Sequence, residues 1–143
     1  MLTRVAAQSL YALCGASFLG AGACVLLLGT GLLPEGLRDL IRSIGEDNSN
    51  TLHIMQELGS LLIFAGLISL WFVRHYDQSR AYHWAMTAFW GLFALVHWFD
   101  VSGSFEFDVG QFINTIPFGL FVAIGLLRET SAGSERRGNV EPA

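Results

Sequence analysis

Residues 51–73 read TLHIMQELGSLLIFAGLISLWFV, and the last sixteen of them, Leu58 to Val73, carry no charged residue. Sixteen helical residues rise roughly 24 Å at about 1.5 Å each, short of the ~30 Å hydrocarbon core of a bilayer. Adding the turn that holds His53, Gln56 and Glu57 completes the crossing. The stretch therefore predicts a transmembrane helix with Glu57 at or just inside one membrane boundary, where an ionised carboxylate needs a partner or water.

Three further apolar stretches follow the same pattern, at about Ser9 to Leu33, Ala81 to Phe99 and Gln111 to Leu127. None alternates strictly between apolar and polar residues as a barrel strand would. Composition agrees, with 52% hydrophobic residues, 14% charged residues and a mean hydropathy of +0.49. The expected fold is all-α: an integral membrane four-helix bundle over residues 1–128, with spans at about 9–33, 51–73, 81–99 and 111–127. Residues 129–143, poor in apolar side chains, are expected to form a disordered cytoplasmic tail. The first stretch also resembles a secretory signal, but its apolar run continues to Leu33, too long for a signal core. It reads as a retained helix whose small residues, Gly20-Ala21-Gly22-Ala23, permit close helix packing. Cys14 and Cys24 lie inside it without any metal or redox spacing and read as small packing residues.

Arginine sets the orientation, because the chain has no lysine. Arg4, Arg74, Arg80, Arg128, Arg136 and Arg137 fall on one side of a four-span chain, while Arg38 and Arg42 fall on the other. The positive-inside rule then places both termini in the cytoplasm, as for a multi-pass protein of a cell inner membrane. Tyr11, Trp71, Tyr76, Tyr82 and Trp84 near the inner ends read as headgroup anchors, and Trp90 as a packing residue. A net charge of −4 leaves no basic surface for nucleic acid. Expected partners are the lipid bilayer and a second copy or another membrane protein. In the first outer loop, Pro34 opens a segment in which Leu37, Leu40, Ile41 and Ile44 recur at helical spacing, with Gly45 as the stop. This predicts a short interfacial helix at about 35–44.

Polar residues inside the spans concentrate at the outer ends. His53, Gln56, Glu57 and Ser60 share one face of the second span. His83, Thr87, Trp90, Ala94 and His97 form a heptad-spaced stripe on the third, which predicts its bundle-facing side, and Asp100 follows three residues after His97. Gln111 and Asn114 open the fourth, ahead of Pro117. His53, Glu57, His97 and Asp100 are the candidate metal ligands, since two imidazoles and two carboxylates suit a divalent transition metal. Gln56, Gln111 and Asn114 are candidate ligand-binding residues beside them. Haem b held by His53 and His97 is an alternative cofactor. The inner-end residues Arg74, His75, Asp77, Arg80 and His83 read more simply as a charged loop, with Asp77 or Ser79 capping the third span.

In span number, size and outer loops, residues Ser9 to Leu127 resemble small bacterial four-helix inner-membrane proteins of the DoxX-like kind. The resemblance implies a helical bundle with a link to redox or envelope processes, and it transfers no residue role. With no nucleophile motif, phosphate loop or dinucleotide fingerprint, the favoured function is a non-catalytic membrane component whose outer cluster is structural or holds a small ligand. The alternative is a metal- or haem-binding membrane redox protein or enzyme.

Overall fold

Long apolar runs with few breakers form helices in the computed structural model, and among the described residues there is no strand. The structure describes residues 2–28, 30, 32–42, 49–98 and 109–138, with side chains over 3–28, 30, 32–39, 53–98 and 111–130. The helices are α1 (Leu2–Leu26), α2 (Glu35–Arg42), α3 (Ser49–Arg74), α4 (Arg80–Trp98) and α5 (Val109–Gly138). Within them α1, α3 and α5 contain segments long and apolar enough to cross a membrane: Thr3–Leu26, His53–Arg74 and Gln111–Thr130. α4 is long enough, at 19 residues, but not apolar enough, because it includes Arg80, His83 and His97. The expectation of four spans is thus met in three helices by length and composition.

Boundaries differ from the sequence reading in two places. α1 ends at Leu26, not near Leu33, because the Thr30 hydroxyl takes the Leu27 carbonyl at 2.7 Å and closes a turn. α5 runs through Glu129 to Gly138, where composition suggested a disordered tail. Glu129 is held by both guanidinium nitrogens Nε and Nη2 of Arg80, which fixes the first turn beyond the apolar segment. The short α2 follows Pro34 as expected, with Leu37 and Arg38 donating to the Pro34 carbonyl at 3.1 and 3.0 Å. Leu40, Ile41 and Ile44, which define its apolar face, lie outside the described side chains.

The chain divides into two units, one of Ala12–Trp71 and one of Met1–Tyr11 with Phe72–Ala143. In the first, α1 packs on α3 through two facing glycine pairs. A Cβ built on Gly22 would lie 2.6 Å from the Gly59 carbonyl oxygen, and one on Gly66 would lie 2.9 Å from that of Gly15. The two backbones therefore touch where no side chain can intervene, a close approach that small residues make possible in lipid. Gly20, in the same small-residue run, faces open space.

In the second unit α4 packs on α5. His83, Thr87, Trp90 and Ala94 are buried, so four of the five residues of the heptad stripe face the protein, and His97 is half-buried. The opposite side shows large apolar residues: Leu92 and Val96 are each 65% exposed. α5 answers with Phe121, Ile124, Gly125 and Arg128, one buried face at helical spacing. Gly125 is required there, since a Cβ would fall 2.8 Å from His83 Nε2 and 2.7 Å from the Trp84 ring. Gly125→Ala is expected to lower stability by about 1–2 kcal/mol through this overpacking. Thermal unfolding in detergent measures it, with Gly119→Ala, which meets nothing, as the control.

Candidate functional site: a buried polar network

The second unit buries a hydrogen-bonded cluster where the start of α1, the 75–79 turn, α4 and α5 meet. Tyr11 Oη lies 2.5 Å from His83 Nδ1, and Arg128 Nη1 donates to Tyr11 Oη and to Ser79 Oγ, each at 3.2 Å. Arg128 Nη2 donates to the Tyr76 carbonyl, which also accepts from Ser79 Oγ at 3.1 Å. Thr87 Oγ1 sits 3.4 Å from His83 Nε2 and donates to the His83 carbonyl at 2.9 Å.

Counting donors orders the chain. Guanidinium nitrogens only donate, so Tyr11 Oη accepts from Arg128, and with the Nε2–H tautomer of His83 its own proton goes to His83 Nδ1. That tautomer directs the imidazole proton toward Thr87, whose own proton is committed to the His83 carbonyl. Arg128, Tyr11, His83 and Thr87 thus form one directional relay of hydrogen bonds. Its members lie in a shell of rings: His83 stacks on Phe121 with centroids 5.7 Å apart, and Tyr11 meets Phe72 edge-on at 5.2 Å. Arg128 also lies over the Tyr76 ring, 4.3 Å from its centroid, a favourable cation–π placement.

Local chemistry explains why these residues meet. α3 ends at Arg74, and its terminal carbonyls lack helical partners. Gln8 supplies one, donating to the Val73 carbonyl at 2.9 Å, and Arg4 bonds Asp77 at 2.7 Å. Ser79 holds the N-cap position of α4, its carbonyl accepting from His83 N at 2.8 Å, while its hydroxyl turns inward to the Tyr76 carbonyl. Tyr11 and Tyr76, expected as headgroup anchors, are buried and bind Arg128 instead. Of the expected anchors, Tyr82, Trp84 and Trp71 are the exposed rings.

No protein-family model, curated protein or solved structure matches the chain.

The residues singled out at the outer ends fall in both units. In the first, His53 Nε2 and Glu57 Oε1 are 3.2 Å apart on one helical turn, and both side chains are largely exposed. Gln56 is half-buried, and its carbonyl accepts from Ser60 at 3.1 Å. In the second, His97 Nδ1 donates to the Phe93 carbonyl at 2.8 Å, which leaves Nε2 as the nitrogen that could ligate. Gln111 and Asn114 are half-buried, and the Gln111 carbonyl accepts from Thr115, whose hydroxyl in turn receives Trp98 Nε1 at 2.8 Å. Asp100 lies outside the described residues. Among the described residues no three of His, Cys, Asp and Glu gather as metal ligands.

Sequence alone places Arg128 at the edge of the last apolar run, as one of the arginines on the cytoplasmic side, and assigns its side chain no partner. Continuing the period of Phe121 and Ile124 by one turn puts Arg128 on the buried face. His83 was already in the buried stripe of α4, so the signal was present in two places.

Proposed function

We propose that the protein is a small integral membrane protein of four spans, a non-catalytic membrane component with both termini in the cytoplasm of a cell with an inner membrane. The observation that carries the non-catalytic reading is the inner network: Tyr11, His83, Ser79 and Thr87 direct their polar atoms at one another and at Arg128. Catalytic groups need a face open to substrate, and this relay ties helix ends together. Its role is to fasten α1, the 75–79 turn, α4 and α5 at the cytoplasmic boundary.

α4 is assigned as the fourth span on its surface. Its 19 residues rise roughly 28 Å, close to a ~30 Å core, and Leu92, Leu95 and Val96 turn outward on the side away from the buried stripe. In water such an apolar face would be a liability, and in lipid it is ordinary. Burial of His83 and half-burial of His97 remove the polarity that weakens α4 by composition.

Topology tests this directly. With four spans, reporters inserted near Asn48 and Ser104 are expected outside and a fusion after Arg137 inside. With α4 not crossing, Ser104 reports inside and Arg137 outside. The second pattern would sink the four-span reading while leaving the helices intact.

A further inference from the structure

Among the described residues, four arginines lie at this boundary in the second unit, Arg4, Arg74, Arg80 and Arg128, against two carboxylates, Asp77 and Glu129. Both carboxylates are engaged by the more exposed guanidiniums, Asp77 by Arg4 and Glu129 by Arg80. Arg128, only 7% exposed, is left with neutral partners: two hydroxyls, one carbonyl and the faces of Tyr76 and Tyr11. An arginine has five N–H donors, and these contacts use three. Nε–H and one Nη2 hydrogen make no hydrogen bond among the described residues. A charge held in a low-dielectric setting without a counter-ion is expensive, and dipoles from neutral partners reduce that cost without cancelling the charge.

We propose that this boundary binds the phosphate of an anionic phospholipid headgroup, with the remaining donors of Arg128 as the contact and Arg4 and Arg80 as flanking positive charge. Depth and charge both favour the lipid source. Arg128 closes the apolar stretch of α5, the level at which lipid phosphates lie, and the acyl chains have the outward apolar faces of α4 and α5 beside them. A guanidinium offers a phosphate charge-assisted, geometrically matched donors. Compensation from the lipid explains how Arg128 is kept buried while its neighbour Glu129 pairs with another residue.

The inference rests on the membrane reading, and the two fail separately. A chain released from bilayers by alkaline carbonate defeats the membrane reading. A chain that stays in the bilayer without lipid preference defeats only this one. The measurement is thermal unfolding of the full chain in detergent, titrated with phosphatidylglycerol, with phosphatidylcholine, or with inorganic phosphate. Phosphatidylglycerol is expected to act at roughly tenfold lower concentration than phosphatidylcholine, the ratio of one charge-assisted contact. The preference should survive about 0.5 M salt, because buried contacts are weakly screened. Equal shifts with inorganic phosphate overturn the lipid source, and loss of preference in salt overturns the buried contact in favour of surface attraction. Arg128→Gln should abolish the preference. Should that variant fail to fold, Arg128→Lys decides, expected to reduce the ratio to about twofold because an ammonium lacks the planar fork. Arg80→Gln is expected to keep most of it. The reverse order of the two variants overturns the assignment to Arg128.

Discussion

Gly22→Ala is expected to lower the stability of the folded protein by about 3 kcal/mol, the upper end of the range for overpacking. The added methyl would sit 2.6 Å from the Gly59 carbonyl oxygen and 2.9 Å from the Ile63 backbone nitrogen. Neither is the end of a flexible side chain, so relief requires the two helices to part. Gly20→Ala, two residues away in the same small-residue run, meets nothing and should gain about 0.5–1 kcal/mol from helix propensity. Unfolding midpoints of the two variants in one detergent make the comparison. Equal effects would mean that α1 and α3 do not approach through these glycines.

The second large effect belongs to Tyr11→Phe. The ring remains, and with it the edge contacts to Phe72 and Phe121, so the change isolates one hydroxyl. That hydroxyl is both the donor to His83 Nδ1 and an acceptor for Arg128, and losing it strands two buried groups. At about 1–3 kcal/mol for a stranded buried group, a loss of about 2–3 kcal/mol is expected, well above the ~0.6 kcal/mol average for hydrogen bonds within membranes. His83→Leu removes one of the two stranded groups in advance. The double variant should therefore be less damaged than the two single effects added, by about 1 kcal/mol or more. Strict additivity in that cycle would show that Tyr11 and His83 do not act through their shared hydrogen bond.

Most of the helical content was legible in the sequence because apolar runs broken by glycine, proline and charge leave few alternatives to helices. The stripe from His83 to Ala94 was legible for the same reason: a heptad spacing of small and polar residues in an apolar helix marks the side turned from lipid. Arg128 was not, and the reason is physical. An arginine at the edge of an apolar run has two stable outcomes, a solvated tail or a buried position supplied with acceptors. The second depends on Tyr11, Tyr76 and Ser79, which are distant in sequence. Local pattern carries no information about such long-range acceptors. At the outer ends the reverse holds, since the His53 and Glu57 pair follows from i, i+4 spacing alone and contact within one turn needs no tertiary structure.

The facing glycines of α1 and α3 have a further consequence. Gly15 meets Gly66 and Gly22 meets Gly59, so each helix carries two notches seven residues apart. Sliding one helix past the other by a heptad leaves one notch matched and forces the second glycine against a full side chain. Slips of three or four residues match neither and drive Leu19 or Leu70 into backbone. Lipid offers little penalty for vertical slippage of one apolar rod along another, because every register buries similar surface. Here the notches act as a vernier, admitting a single depth at which the two rods lock, and the pair holds its alignment by shape where greasiness alone would let it drift.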